Sequence, residues 1–544
     1  MNELKKLNKN SSISERRKLK KSKKKKLFAD QPKKKIFLRK RKGKSKILLL
    51  YFAFISLILL IIFLVIKKMA IKMNFLNNNY NNQNLVFNEK YILKKEENSE
   101  EDTLCNKYDP INSFYYRLIN NSKTICENGD SKHICYQNTD PVYNDIYWYK
   151  EGVACIMKNI ILDPSKSNPN QYVFNGPVDW THNGFPLTSY GLFNMKCESL
   201  NKLERYHQIY NFYFDSWNYK YQGEGENIEE LAPGKTIFFI SRNQDSPNLF
   251  HGGSEVINTL AMMELFSLKP EDVQIVFLDS ITLKHEFDTF IDIYKNIISR
   301  GGEPLYIKNL KKKYLISSAI HIPLLWDTPC FFHGGRDVVK EFPKCKNPTR
   351  TYKIYNDLIN KYMKIPDYKD SFVSDNEVFY YPKSVIENHK SNNKFEKYVT
   401  IQWRKAWPKV RKKQARILAK GPEIADKLAS ILPKNFLIRL IDTGGMSMID
   451  QMSLMKNTDY LVGIHGAGLA LVIFMPYGSI MHEVGYEKHL IDFQIMSPLS
   501  GHKTYYDNIQ AEVKEIDGNE NVFFNVDEFG EKVLKRMKES NFIS

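Results

Sequence analysis

The chain has 544 residues and a formal charge of +19, from 80 Lys and Arg against 61 Asp and Glu. Nearly all of that charge lies in residues 1–46, which hold 21 basic and three acidic side chains and leave 59 basic against 58 acidic for the rest. The bulk of the chain therefore has no excess of cations for a nucleic-acid-binding face, and no basic stripe interleaved with aromatics occurs in it.

In chain order the first predicted element is residues 47–66, ILLLYFAFISLILLIIFLVI, 20 residues without a charge. At about 1.5 Å per residue such a helix crosses about 30 Å of hydrocarbon. A cleaved signal peptide would have a shorter apolar core and a small-residue cleavage site after it, so the segment is predicted to stay as an anchor. Basic residues remain on the cytosolic side. The 1–46 tail is thus expected inside and everything beyond residue 67 in the lumen, the type II arrangement. Residues 67–104, rich in Asn, Lys and Glu, read as a stem.

All seven cysteines, at 105, 126, 135, 155, 197, 330 and 345, follow the anchor, on the side where disulfides form. Seven is odd, so one thiol at least has no partner within the chain. Cys330 with Cys345, and Cys126 with Cys135, are short spacings suited to loop closure, although spacing alone leaves connectivity open. No Cys/His spacing of the structural-zinc kind occurs. Asn120 opens the sequon Asn-Asn-Ser and is a predicted glycosylation site.

Beyond the stem, the length suggests two domains, 105–385 and 386–544. The first has a Cys-, Tyr- and Trp-rich opening, then strands at 235–242 (KTIFFISR) and 273–279 (VQIVFLD) alternating with helices at 253–268 and 281–298. Residues 304–308 continue the pattern. A polar stretch, 366–396, reads as a linker. After it come a strand at 398–403, a helix at 422–432, a strand at 436–442, and a helix at 447–456. A C-terminal helix over 527–539 is expected to pack back across both domains. Strand–helix alternation of this kind specifies α/β layers with parallel sheets.

The chemically most specific stretch is 459–484, DYLVGIHGAGLALVIFMPYGSIMHEV. Residues 460–464 form an apolar strand, and His465, Gly466, Ala467 and Gly468 turn the chain into a helix opening at Leu469. Free N–H groups and the positive dipole end at such a helix start favour a diphosphate. Glu483 stands near the end of the next strand, where a carboxylate is able to accept hydrogen bonds from a ribose. A nicotinamide-type fingerprint is the rival, but the order here is G-x-x-G-x-G, not G-x-G-x-x-G, and a structural strand-to-helix turn would share the same spacing.

The stretch from Met448 onward resembles the signature of glycosyltransferase family 61, which includes EGF-domain-specific O-GlcNAc transferases, protein O-mannose N-acetylglucosaminyltransferases and plant xylan xylosyl- and arabinosyltransferases. The resemblance rests on Gln451, Thr458-Asp459, His465 to Leu469, Phe474-Met475-Pro476 and Glu483. Asn248 and His251 are similar to the family's Asn-x-x-His motif, and 404–417, RKAWPKVRKKQARI, to its arginine-rich segment, with Ala419-Lys420 where the family has Asn.

The resemblance implies a GT-B fold, two Rossmann-like domains facing a cleft, and an inverting enzyme. The C-terminal domain would hold the nucleotide sugar and the N-terminal one the acceptor. No D-x-D occurs in the chain, so no metal or other cofactor is expected, and the diphosphate would fall to the 465–469 loop and to Arg404, Arg411 or Arg416. Inverting transfer needs a general base. His251 is the first candidate, with Glu255 and Asp279 as alternatives; Trp403 and Trp407 are candidates for stacking. The expected partners are a UDP-sugar donor, with GlcNAc ahead of xylose, a glycoprotein or polysaccharide acceptor, and the membrane, with Golgi or endoplasmic reticulum as the address. A non-catalytic lumenal carbohydrate-binding protein on the same fold is the alternative.

Overall fold

The structure is a computed structural model. It describes residues 105, 109–111, 122–137, 153–167, 189–197, 200, 215–223, 228–242, 249–279, 290–322, 344–372, 378–391, 394–405, 416–486 and 492–543. The basic tail, the 47–66 anchor, the stem, Asn120, Asn248, Cys330, Trp407 and Arg411 lie outside these residues. Among the described residues no helix is long and apolar enough to cross a membrane.

The first sheet contains β1 (Ser122–Asn128), β2 (Ser131–Gln137), β3 (Val153–Leu162), β4 (Phe193–Asn194), β5 (Trp217–Asn218), β6 (Thr236–Ile240), β7 (Val273–Phe277), β8 (Leu305–Tyr306) and β9 (Tyr314–His321). Its main path runs β1-β2-β3-β9-β6-β7-β8. The β9-β6-β7-β8 part is parallel, and helix α1 (Leu249–Leu265) joins β6 to β7. Every residue of β6, TIFFI, and of β7, VQIVF, is buried, as expected of parallel strands covered on both faces. The β1–β3 part is an antiparallel wing.

Two disulfides tie this wing, Cys126–Cys197 and Cys135–Cys155, and a third, Cys105–Cys345, joins the start of the described chain to the segment before Arg350. They replace the short closures expected from spacing. Cys126 faces His133 across the β1–β2 hairpin, whereas Cys135 stands directly opposite Cys155 on β3. Register, not proximity in sequence, selects the partner.

The second half contains α2 (Arg350–Tyr362), α3 (Lys383–Ser391), α4 (Gly421–Ile431), α5 (Met448–Lys456), α6 (Asp492–Leu499) and α7 (Val526–Glu539). Its strands are β10 (Phe379–Tyr380), β11 (Lys397–Gln402), β12 (Ile417–Leu418), β13 (Phe436–Ile441), β14 (Tyr460–Ile464), β15 (Ile480–Gly485), β16 (Lys503–Asn508), β17 (Ala511–Ile516) and β18 (Asn519–Phe524). Six of them form a sheet in the order β10-β13-β11-β14-β15-β16, parallel except for β10, and β12-β18-β17 form a small third sheet. A 3-10 helix, Ala467–Phe474, follows β14 and packs against α1, α2, α5 and α6.

Two expectations are corrected here. The 366–396 stretch is not a linker, because β10 pairs with β13, Tyr381 and Val385 enter the core, and Asp370 neutralises the buried Arg439 of β13. Arg439 also donates to Thr400 Oγ1, Thr458 Oγ1 and the carbonyls of Leu454 and Asn457, so its charge is fully satisfied. The C-terminal helix α7, for its part, stays with the second sheet. It packs on α4, and Arg536 grips Asp507 of β16 at 2.7 and 2.9 Å. Asp507 in turn lies 3.1 Å from His482 Nε2, whose Nδ1 meets the Tyr460 hydroxyl at 2.8 Å.

Candidate functional site

In the parallel part of the second sheet, β11 comes first in the chain, β13 pairs on one side of it and β14 on the other. The chain therefore adds β13 on one side of β11 and then crosses back to add β14 on the other. The crevice at the carboxyl ends of β11 and β14 is the topological switch point, the place where open α/β sheets bind ligands. Gln402, Trp403 and Arg404 follow β11 into that crevice, and His465, Gly466, Ala467 and Gly468 follow β14.

The two segments touch. A Cβ added to Gly466 would overlap the Arg404 guanidinium, and one added to Gly468 would lie 2.7 Å from Gln402 Cδ. Gly463, within β14, faces Gln402 Cβ at 2.7 Å from the same imagined atom. These glycines are small because two polar side chains lie against the loop. The N–H groups of Gly466, Ala467 and Gly468 make no hydrogen bond among the described residues, while Leu469 N–H donates to the Gly466 carbonyl and starts the 3-10 helix. Three adjacent donors with no partner among the described residues, beside a guanidinium, are chemically suited to an anion.

His465 Nδ1 hydrogen-bonds Glu483 Oε1 of β15. Glu483 is fully buried, so the carboxylate expected to meet a ribose is instead engaged with the histidine. That bond fixes the orientation of the ring. The His465 ring packs on Phe493 of α6 at 5.1 Å, and Phe493 meets Phe250 of α1 edge-on at 5.3 Å. Through this aromatic step the first turn of α1, which contains His251, lies next to the glycine loop.

Of the other predicted residues, Glu255 is buried one turn further along α1. Arg416 precedes β12 with φ +62°, and the Leu418 N–H donates to the Arg404 carbonyl, which brings the two ends of the arginine-rich segment together. Asp279 behaves differently from expectation. It follows β7, is fully buried, and receives the Arg242 backbone N–H at 2.8 Å and two guanidinium hydrogen bonds at 3.2 and 2.9 Å. Arg242 itself lies 3.9 Å from the Phe277 ring centre. Both carboxylate oxygens are thus engaged, which suits a structural clasp better than a base.

Two residues of the crevice were not singled out from sequence. Gln402 donates from Nε2 to Thr443 Oγ1 at 2.8 Å, and its Oε1 is buried without a partner. Asp442 follows β13; burial pushes its carboxyl up to about 6, against the lowering pull of the Gly444 N–H and Lys405. Lys405 covers the Trp403 ring at 3.4 Å. Their one sequence signal is position, each standing at or just past the end of an apolar strand. Elsewhere, the metal-type grouping found among the described residues is His133, Cys135 and Cys155, and its two sulfurs are already joined.

The second sheet thus places a glycine loop and an arginine together at its switch point. Residues 336–482 match the family model described as Glycosyltransferase 61, a stretch that carries β11, Arg404 and the glycine loop. The match agrees with the resemblance read from the 448–484 motif and supports a glycosyltransferase, with a sugar donor and an acceptor as its substrates. No curated protein matches the chain.

Proposed function

We propose that this protein is a type II membrane glycosyltransferase of the secretory pathway, resident in the Golgi or endoplasmic reticulum, that transfers a sugar from a UDP-sugar to a glycoprotein or glycan with inversion. The observation that carries the reading is the contact of the Arg404 guanidinium with Gly466 beside three free N–H groups. A diphosphate in that concavity has its charge met by backbone donors and a guanidinium, so the reading requires no metal clamp. The order of strands in the first sheet, whose parallel part runs from β6 outward through β7 and β8 and then returns to add β9 on the other side of β6, supports a GT-B arrangement.

In the proposed reaction the acceptor oxygen forms its bond to the anomeric carbon as the bond from that carbon to the diphosphate oxygen breaks. The hydroxyl proton passes to a base, for which His251 at the start of α1 is the candidate, and the electron pair leaves on UDP. His465, held at Nδ1 by Glu483, would donate from Nε2 to the departing diphosphate, a task worth roughly 10²–10³ in rate for one preorganised donor. UDP-GlcNAc is the first donor to test and UDP-xylose the second.

The test is UDP binding and sugar-nucleotide turnover by the full-length protein, over a panel of UDP- and GDP-sugars with EDTA present. Turnover of one UDP-sugar that survives EDTA and drops 10²-fold or more in His465→Ala is the expected result. Binding without turnover, on addition of glycan and glycopeptide acceptors, would favour a carbohydrate-binding role for the same fold. Absence of UDP binding would reject the transferase.

A further inference from the structure

Gln402 closes β11 at the switch point, and its side chain is 6% exposed. Its carboxamide is wedged between two other strand ends. On one side Nε2 donates to Thr443 Oγ1, in the turn after β13, at 2.8 Å. On the other side the amide rests on the glycine loop, where a Cβ on Gly468 would come within 2.7 Å of Cδ, 2.8 Å of Nε2 and 3.0 Å of Oε1. Oε1 has no partner. A buried acceptor left without a donor is destabilising, and such groups in native proteins mark an unfilled role.

A carboxamide has a donor end and an acceptor end of nearly the same shape. Thr443 Oγ1 accepts from Nε2 here and makes no other side-chain hydrogen bond, so its hydroxyl is free to donate instead. A half-turn of the amide would satisfy Oε1 with the Thr443 O–H and deliver the Nε2 donor to the loop. An anion held by the N–H groups of Gly466 to Gly468 consists of acceptors only. It would supply the partner that Nε2 then lacks, and neither end of the amide would remain unpaired.

We propose that Gln402 is a donor-site residue that hydrogen-bonds the bound diphosphate through its side-chain N–H, turning over against Thr443 when the ligand enters. The proposal rests on the glycosyltransferase reading above and names one more contact of the same site. It also explains why positions 463 and 468 are glycine: a side chain at 468 would displace the amide itself, and one at 463 would press on the Cβ that carries it.

The experiment measures binding of UDP, uridine and inorganic pyrophosphate to full-length wild type, Gln402→Leu and Gln402→Glu, with unfolding temperatures of the unliganded proteins alongside. Loss of a hydrogen bond to a charged group is expected to weaken UDP and pyrophosphate on the order of tenfold to a hundredfold in Gln402→Leu, with uridine unchanged. Gln402→Glu is nearly isosteric, so it remains informative if the leucine variant does not fold. At neutral pH it loses more, because a carboxylate has no donor and repels the anion, and affinity should return as acid protonates it. A residue that merely packs would show no such recovery. Equal weakening of UDP and uridine, or unchanged UDP affinity, would overturn the proposal while leaving the transferase reading intact. If wild type binds neither UDP nor pyrophosphate, both fall together.

Discussion

The carboxyl ends of the two parallel sheets hold similar kinds of side chain in opposite conditions. At the end of β6 and β7, Arg242 and Asp279 are fully buried and meet each other at 2.9 Å. At the end of β11 and β14, Arg404 lies over a glycine loop whose first three N–H groups are free, and Gln402 holds a buried oxygen without a partner. A guanidinium with a dedicated carboxylate is part of the fold. One placed beside backbone N–H groups that have no partner among the described residues is suited to meet an anion.

That contrast is open to direct attack, beginning with the largest expected effect. Asp279→Ala would strand the Arg242 charge in the interior and is expected to cost about 3–5 kcal/mol of stability, read as a steep fall in unfolding temperature. Retention of wild-type stability would show that the pair is no clasp. Next come two glycines of the same strand and loop. In Gly463→Ala the new methyl meets Gln402 Cβ at 2.7 Å, an atom too near the backbone to swing aside, so a loss of about 1–3 kcal/mol is expected. In Gly466→Ala the methyl meets only the mobile end of Arg404, and φ at 167° is extended and open to any residue. Stability should therefore hold within about 0.5 kcal/mol while UDP affinity falls on the order of tenfold, as the displaced guanidinium loses its phosphate. Equal destabilisation by the two substitutions would erase the distinction between core glycine and site glycine.

The legible parts of the chain were those where one local pattern decides the structure. The strands at 236–240, 273–277, 436–441 and 460–464 are wholly buried, and buried parallel strands read as near-continuous apolar runs. Helix α5 announces itself through Ser447, whose side chain caps the Asp450 N–H. The glycine loop was legible for the same reason. What stayed hidden depends on partners far away in sequence. The 366–396 stretch is polar and reads as a linker, yet its Asp370 serves an arginine 69 residues on. Cys345 finds Cys105 across 240 residues, and Asp279 looked like a candidate base only because Arg242, 37 residues earlier, could not be seen beside it. Glu483 reads as a ribose acceptor from its place near a strand end, and in space its Oε1 meets His465.

A further effect, visible only as a change with pH, concerns Asp442, which borders the crevice yet lies outside both arrangements. Its carboxyl is raised from 3.8 to about 6, chiefly by burial, with the Gly444 N–H and Lys405 pulling the other way. Between these two values the folded protein keeps a proton that the unfolded chain has released, so stability falls as pH rises from about 4 to about 6 and is level on either side. Asp442→Asn removes the ionisation and keeps an oxygen for the Gly444 N–H, now 3.1 Å away. The variant should match wild type below pH 4 and exceed it above pH 6 by roughly 2 kcal/mol after screening through its partly exposed side. Unfolding temperatures of both proteins across that range would read the difference, and a gap that is constant with pH would mean that Asp442 ionises alike in the folded and unfolded chain. Bound UDP supplies a second condition. A diphosphate in the crevice adds negative charge near Asp442 and should move the upper edge of the window to higher pH, whereas a ligand bound elsewhere would leave it in place.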